Sequence, residues 1–344
     1  MKFYYLFFCI IITKILSASP FIWAPDQLNN RVLVIDAATN TIFQTIPQST
    51  GLFDNPLSVA ITPDNQFAYV FNATSGSTHT TVSVINTANY QLEAFIDLQE
   101  PSTTEGNIAI SPNGAFAYVT NTQRQVVSVI DTSTNSFVQN IGGFSEPIGL
   151  AFSPNSAFAY VVDFGANQVF RINTSTHASA AIPFPGGTFD SPEEIAITAN
   201  GVFAYVTNFG NSTIPVLNLV NNTILTTINL PALSDPEAIV LSPDGTRAYV
   251  AGYSNPGSIF TIDTLTNTLI GSTTGGGISF PTSLAVAPSG NILYIGNNQG
   301  PILALNTGTN TIITTVPNTA GDFFFSLALQ QSSARPFARP SNRR

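Results

Sequence analysis

Residues 111–121 read Ser-Pro-Asn-Gly-Ala-Phe-Ala-Tyr-Val-Thr-Asn, which is a tight turn followed by a short strand. Pro112 presets φ and Gly114 permits a positive φ, as tight strand connections require. The same pattern, a turn followed by an aromatic β-rich run, recurs along the chain at intervals of 42 to 49 residues. Its central aromatic residues are Trp23, Tyr69, Tyr118, Tyr160, Tyr205, Tyr249 and Tyr294. These seven copies indicate a repeat protein.

Each copy contains four strand-like segments, which in the third copy are residues 107–110, 116–120, 126–130 and 136–141. Short β-rich runs bounded by Pro, Gly, Asn and Asp are typical of strands joined by hairpins. Four strands in a repeat of roughly 40–50 residues describe a propeller blade. We therefore predict an all-β fold, a seven-bladed β-propeller of four-stranded antiparallel blades, over residues 20–330.

Two further patterns favour a closed ring. The first strand of each copy carries a small residue at one fixed place, as expected where strands converge on an axis. The chain also supplies a second-type strand at residues 21–23 and a first-type strand at residues 325–329. Pairing these two segments would complete one blade from both termini and remove an open sheet edge. The small residues are Ala60, Ala109, Ala151, Ala196, Ala285 and Ala328, with Val240 as the exception.

The N-terminus has the pattern of a secretory signal peptide. Lys2 precedes the apolar run 3–12, and small residues follow, so we expect cleavage near Ala18 or Ser19 and a signal peptide over residues 1–19. The run is too short for a membrane span of roughly 20 residues. We therefore expect a secreted or periplasmic protein without a membrane span.

The charge of the chain is acidic, with a formal net charge of -9 and only 8% charged residues. This balance disfavours a nucleic-acid partner. Without residues 1–19 the chain has no Cys, Met or Lys, which excludes disulfides, thiolate chemistry and Schiff-base lysine chemistry. Residues 331–344 contain four arginines and are expected to form a disordered tail. We expect the propeller to be a monomer.

Acidic residues concentrate in the connections that precede first strands. Because strands alternate in direction, these connections should share one face, where their summed potential is focused. The predicted partner of this face is a basic protein, a cation or another surface ligand. The acidic residues are Asp54, Glu105, Glu146, Asp190, Glu193, Glu194, Asp235, Glu237 and Asp322, and Asp26 and Asp163 join them from the connections between second and third strands.

Residues that open the first strands should lie nearest the mouth of the central channel. By position these are Ser58, Asn107, Gly149, Glu194, Ala238, Ser283 and Ser326. Our ligand-binding candidates are Asn107, Glu194, Glu193, Glu237, Ser58, Ser283 and Ser326. Glu194 and Asn107 could supply oxygen ligands to Ca²⁺ in the channel, and no other cofactor is expected. The two histidines, His79 and His177, fall on different blades and opposite rims, and no nucleophile motif is present.

The segments 118–121 and 205–208 both read Tyr-Val-Thr-Asn. In these repeats the chain resembles the YVTN family of bacterial and archaeal propellers over roughly residues 20–330. That resemblance implies a secreted or cell-surface seven-bladed propeller without assigned catalysis, although similar folds include lactonase-like, lyase-like and quinoprotein-like enzymes. Since no catalytic residues stand out, we predict a non-catalytic binding scaffold that uses its acidic face. The alternative is a hydrolase or lyase assisted by Ca²⁺ or Mg²⁺ at the channel mouth.

Overall fold

The computed structural model describes residues 20–48, 52–73, 79–184, 189–298, 300–316 and 324–331. Within these ranges the chain forms 28 strands in seven four-stranded antiparallel sheets. The one helical element there is a short 3-10 turn at Phe209–Asn211. The predicted all-β, seven-bladed propeller is therefore confirmed.

Each sheet is one blade, and in six of the seven blades the strands follow chain order from the axis outward. The strands are β1 (Phe21–Asp26), β2 (Arg31–Asp36), β3 (Thr41–Ile46), β4 (Pro56–Ile61), β5 (Phe67–Asn72), β6 (Thr81–Asn86), β7 (Leu92–Asp97), β8 (Ile108–Ile110), β9 (Phe116–Asn121), β10 (Val126–Asp131), β11 (Ser136–Ile141), β12 (Pro147–Phe152), β13 (Phe158–Asp163), β14 (Gln168–Asn173), β15 (Ser179–Ala181), β16 (Pro192–Ile197), β17 (Phe203–Asn208), β18 (Thr213–Asn218), β19 (Thr223–Asn229), β20 (Pro236–Leu241), β21 (Arg247–Gly252), β22 (Ser258–Asp263), β23 (Thr268–Thr274), β24 (Pro281–Val286), β25 (Ile292–Asn297), β26 (Leu303–Asn306), β27 (Thr311–Thr315) and β28 (Ala328–Gln330). Blade 1 is β28-β1-β2-β3, and blades 2 to 7 take the remaining strands four at a time, from β4–β7 to β24–β27.

The ring is closed by the two chain ends, as the sequence predicts. In blade 1, β28 pairs with β1 in antiparallel register, with Ile22 opposite Leu329 and Trp23 opposite Ala328. The buried Trp23 Nε1 also donates a hydrogen bond of 2.8 Å to Gln330 Oε1. Around the axis each innermost strand contacts the next, and β24 contacts β28. No sheet edge is therefore left open between the first and last blades.

The small residue of each innermost strand lies directly opposite the repeat aromatic. Ala109 pairs with Tyr118, and Ala285 pairs with Tyr294. The exception, Val240, still pairs with Tyr249. A small side chain near the axis and a large one on the next strand fill a wedge that widens outward, so each blade packs densely on its neighbours. The repeat aromatics are accordingly buried to within 3% exposure.

The repeat tyrosine also ties one blade to the next at the end of the propeller where first strands turn into second strands. We call this the turn end. Tyr294 donates a hydrogen bond of 2.6 Å to Asn40 Oδ1, and Tyr205 donates one of 2.6 Å to Asn267 Oδ1. Both acceptors lie in the hairpin turn between the third and fourth strands of the following blade and have positive φ. Asparagine tolerates that conformation better than most residues.

The chain leaves β28 at the turn end, where the Gln331 backbone N–H donates to Asn65 Oδ1 in the turn between β4 and β5. The predicted signal peptide at 1–19 and the tail residues 332–344 lie outside the described residues. In the part of the chain that is described, no helix is long and apolar enough to cross a membrane.

Candidate functional site

A cavity of about 350 Å³ opens at the end of the propeller opposite the turn end, which we call the mouth. Every blade contributes to it, so the cavity lies on the propeller axis. Beginning with blade 1, one lining residue from each blade is Phe325, Ser58, Asn107, Ile148, Glu194, Ala238 and Thr282. Most of them open innermost strands, the places that the sequence assigns to the mouth.

Five of the predicted ligand-binding candidates line this cavity: Ser58, Asn107, Glu193, Glu194 and Glu237. The other two lie behind the cavity wall. Ser326 does not line the cavity but contacts Ser58, which does, with 3.2 Å between the two Oγ atoms. Ser283 is buried and donates to the Phe324 carbonyl at 3.4 Å, so its hydroxyl serves the packing of blade 7.

A chain of hydrogen bonds crosses the mouth from blade 2 to blade 5. Ser58 Oγ donates to Asn107 Oδ1 at 2.7 Å, and Asn107 Nδ2 donates to Glu194 Oε2 at 3.1 Å. The other carboxylate oxygen of Glu194 accepts the backbone N–H of Ile195 at 3.0 Å. Both oxygens of Glu194 are thus held, and the orientation of its carboxyl group is fixed by three blades of the ring.

Close approach of β12 and β16 places the glutamates at the axis. A Cβ on Gly149 would lie 2.3 Å from the Glu193 carbonyl oxygen and 2.7 Å from Glu194 Cα. Any other residue at position 149 would push these two strands apart. Gly149, a residue that the sequence assigns to the mouth, therefore has a steric function there.

The carboxyl groups at the mouth hold protons unusually well. Burial, followed by repulsion from Glu105 and Glu194, raises the pKa of Glu193 to about 8. Burial raises the pKa of Glu194 to about 7, although its hydrogen bonds act in the opposite direction. Burial, Glu193 and Glu105 together hold the pKa of Glu237 well above its ordinary value. Glutamates with such pKa values can give and take protons near neutral pH.

Aromatic and apolar side chains complete the wall. Phe209, Tyr253 and Phe325 line the cavity beside Leu57 and Ile148. Tyr253 is held by Asn298, whose Nδ2 donates to its hydroxyl at 2.7 Å. A concave site that combines apolar surface with convergent polar groups is typical of small-molecule binding.

Sequence reasoning did not select Phe209, Tyr253, Phe325 or Glu105 as site residues. A signal was available for two of them, because Phe209 and Tyr253 directly follow the second strands of blades 5 and 6, and those connections face the mouth. Glu105 was assigned to the acidic face only. Its side chain is exposed in part, and the loss of solvent on its cavity side, followed by repulsion from Glu146, raises its pKa.

Several acidic residues of the predicted face have structural partners instead. Asp26 is fully buried and forms an ion pair of 2.6 Å with Arg31 Nε. Asp163 accepts the backbone N–H groups of Ser145 and Glu146 at 2.7 and 2.8 Å, which fixes a loop. Asp322 lies outside the described residues. Asp26 and Asp163 therefore serve the fold, whereas Glu105, Glu193, Glu194 and Glu237 line the cavity.

The two histidines have separate partners, away from the cavity. His79 Nδ1 lies 3.0 Å from Asp97 Oδ2 on blade 2. His177 Nδ1 lies 2.7 Å from the hydroxyl of Tyr118, in the place that asparagine occupies in other blades. Neither side chain lines the cavity.

The structure offers little that resembles a metal centre. Asn107 Oδ1, one of the two predicted calcium ligands, already accepts Ser58 Oγ and the Ile108 backbone N–H at 2.8 Å. Among the described residues no three His, Cys, Asp or Glu side chains are grouped as a metal ion requires. Calcium binding by Glu194 and Asn107 stays a prediction, as do a basic partner and the monomeric state.

The axial cavity with its protonatable carboxyl groups thus lies at one end of a seven-bladed propeller. Residues 27–305 match the model of the family described as lactonase, 7-bladed beta-propeller, and the chain belongs to that family. The prediction of a non-catalytic protein-binding scaffold is therefore wrong. The family confirms the propeller expected from the repeats, whereas it does not single out the YVTN proteins.

Solved structures share the fold at low identity. A protein of unknown function from Desulfotomaculum acetoxidans is 20% identical with a TM-score of 0.75, covering 92% of this chain and 100% of its own. The periplasmic gluconolactonase of Pseudomonas aeruginosa is 17% identical with a TM-score of 0.72, covering 91% and 99%. A proposed 6-phosphogluconolactonase from Bacteroides uniformis is 16% identical with a TM-score of 0.71, covering 91% and 99%. Among proteins with curated descriptions, none matches this sequence.

Proposed function

We propose that the protein is a lactone hydrolase whose active site is the axial cavity at the mouth. The observation that carries this proposal is the pair of glutamates, Glu193 and Glu237, which line the cavity with raised pKa values. Membership of the lactonase family supports the reaction class, and the gluconolactonase name of one structural neighbour agrees with it.

Hydrolysis of a lactone needs one group to take a proton and another to give one. As the carboxylate, Glu193 accepts a proton from a water molecule while the water oxygen attacks the lactone carbonyl carbon. The tetrahedral intermediate then collapses, the bond from carbon to the ring oxygen breaks, and Glu237 protonates the ring oxygen as it leaves. The product is an open-chain hydroxy acid, and one proton passes from Glu193 back to Glu237 to restore the enzyme.

The environment of each carboxyl group supports this division of roles. Burial and the neighbouring glutamates hold the pKa of Glu237 well above its ordinary value, which favours the protonated form that can donate a proton. Glu193, with a pKa of about 8, is partly ionised near neutral pH and can accept one. A pair of carboxyl groups in one pocket that act as acid and base is a recurring solution for acid–base catalysis. Glu194 is fixed by Asn107 and the backbone, and it acts as a positioning residue that maintains the charge around Glu193.

The test is lactone hydrolysis by purified protein, followed through the proton that the hydroxy acid releases. Glu193→Gln and Glu237→Gln should each lower kcat/KM by about 10²- to 10⁴-fold, the usual contribution of a positioned acid or base. Glu93→Gln is the matched control, because Glu93 is exposed on the outer strand β7. Full activity in both cavity variants, or equal losses in all three, would refute the assignment.

We also propose that the protein works outside the cytoplasm. The pattern of residues 1–19 supports this location, and one structural neighbour is named as periplasmic. A narrower kinship with YVTN repeat proteins is proposed on the motifs at 118–121 and 205–208 alone. N-terminal sequencing of the protein recovered from its host would locate a cleavage near Ala18 or Ser19.

A further inference from the structure

The wall of the axial cavity carries glutamates on several sides. Glu105, Glu193, Glu194 and Glu237 come from blades 3, 5 and 6 and all line the cavity. No Lys or Arg is among the described residues that line it. The internal segments that the structure does not describe contain no Lys or Arg in their sequence either.

Three of the four described arginines have partners outside the cavity. Arg31 pairs with Asp26 at 2.6 Å, and Arg171 lies 4.7 Å from the ring centre of Phe158 at the turn end. Arg247 donates to the Thr307 carbonyl at 3.1 Å. Arg124 is exposed in the turn between β9 and β10, on the mouth side, but it does not line the cavity. The remaining arginines follow Gln331, where the chain leaves the propeller at the turn end.

This arrangement has a direct consequence for the charge of a substrate. Recognition of a phosphate group normally uses arginine, lysine or a helix N-terminus, and none of these faces the cavity within the described ranges. A phosphate dianion would instead meet carboxyl groups in a partly desolvated site, where repulsion is stronger than in water. The raised pKa values of Glu193, Glu194 and Glu237 mean that protonation removes part of this negative charge near neutral pH, and the repulsion grows as the pH rises.

We infer that the substrate is an uncharged lactone, such as an unphosphorylated sugar lactone, and that phosphorylated lactones are excluded by the glutamates of the mouth. This inference rests on the proposed lactone hydrolase function. The carboxylates can accept hydrogen bonds from ring hydroxyls, and Phe209, Tyr253 and Phe325 offer apolar surface for the face of a neutral ring. The product is a carboxylate anion, so the same wall repels it and promotes its release.

The test compares two substrates with the same ring, δ-gluconolactone and its 6-phosphate, on the full protein at low ionic strength. We expect kcat/KM to favour the neutral lactone on the order of 100-fold, a size typical of a focused charged cleft. Raising the salt concentration to about 0.5 M should reduce this preference for the neutral lactone, because screening weakens the repulsion between the phosphate group and the glutamates. Gluconate should be a weak product inhibitor.

The second part of the experiment repeats the substrate comparison with Glu105→Gln. Glu105 is exposed at the mouth and takes no part in the proposed proton transfers. This variant should raise the ratio of kcat/KM for the phosphorylated lactone to kcat/KM for the neutral lactone several-fold. Glu93→Gln, the same charge change on the outer strand β7, should leave this ratio unchanged. The inference fails if the two lactones react equally or if the phosphorylated one reacts better. If neither lactone is hydrolysed, the proposed function itself fails.

Discussion

The two ends of the propeller differ in how closely one blade resembles the next. At the turn end the same contacts recur from blade to blade. A Ser or Thr hydroxyl donates to an Asp or Asn two residues later and accepts the backbone N–H that starts the second strand, as with Ser111, Asn113 and Phe116. At the mouth the blades differ, and glutamates appear in only some of them. Equivalents of the turn contact are Thr62 with Asp64, Ser153 with Asn155, Thr198 with Asn200 and Ser242 with Asp244.

This difference separates the residues that stabilise the ring from those to which the proposed function assigns a ligand. Repetition at the turn end satisfies polar groups of the connecting turns in blades 2 to 6. At the mouth, by contrast, Glu193 and Glu237 are half-buried carboxyl groups that repel one another, an arrangement that disfavours the folded state at neutral pH. Departure from the repeat therefore indicates function in this molecule.

The largest effect on stability is expected at the ring closure. Trp23 is fully buried, pairs with Ala328 and contacts the Tyr90 ring with a centroid distance of 6.0 Å. Trp23→Ala should lower the free energy of unfolding by about 3–5 kcal/mol, as large core truncations do. Denaturant unfolding measures this loss, and the exposed Phe43→Ala on β3 is the control for a lost aromatic ring. A loss no larger than that of the control would contradict closure through β1 and β28.

At the mouth, replacing a side chain should raise the stability of the fold rather than lower it, and the change should be smaller than that expected for Trp23→Ala. The folded state holds the pKa of Glu237 above its ordinary value, so the folded protein loses stability as the pH rises from about 4.5 through that raised pKa. Glu237→Gln removes this loss. Its melting temperature should therefore exceed that of the wild type at about pH 8 and match it at about pH 4.

Glu93→Gln, exposed on β7, should show no such difference between the two pH values. A Glu237→Gln variant that is less stable than the wild type at about pH 8 would mean that the carboxyl group contributes to the fold rather than to chemistry alone.

The smallest effect on stability is expected at the contact between Tyr118 and His177 at the turn end, where a histidine takes the place of asparagine. Burial lowers the pKa of His177 below its ordinary value of 6.5. The neutral imidazole therefore gives its full contribution to the stability of the fold above pH 6.5, and this contribution declines as the pH falls toward the pKa of His177 in the folded protein. His177→Asn introduces the acceptor that Tyr205 and Tyr294 use elsewhere. Melting temperatures between about pH 7 and pH 5 should fall less in this variant. Identical pH profiles would show that the Tyr118 contact does not depend on the histidine.

The fold was predictable because the sequence pattern of one blade occurs seven times along the chain. The spacing of Tyr69, Tyr118 and their equivalents defined the blades, and the segments at both termini indicated the closure. Topology then placed Ser58, Asn107 and Glu194 at the mouth, since residues that open innermost strands must face one end of the channel.

The chemistry was not predictable in the same way. The pKa of Glu193 depends on burial between blades and on Glu105, which is 88 residues away in the sequence. Phe209 and Tyr253 come together with Glu237 only through the circular arrangement of blades. The scaffold interpretation relied on the absence of a local catalytic motif, and a site assembled from one or two residues per blade has no such motif.

The most direct test of a catalytic mouth is the pH dependence of kcat/KM for δ-gluconolactone, after subtraction of spontaneous hydrolysis. Base catalysis by Glu193 predicts a rate that rises with pH toward about 8, the pKa of that carboxyl group, and a rise that Glu193→Gln abolishes. A profile that is flat between about pH 5 and pH 9, or one that Glu193→Gln leaves unchanged, would contradict the account.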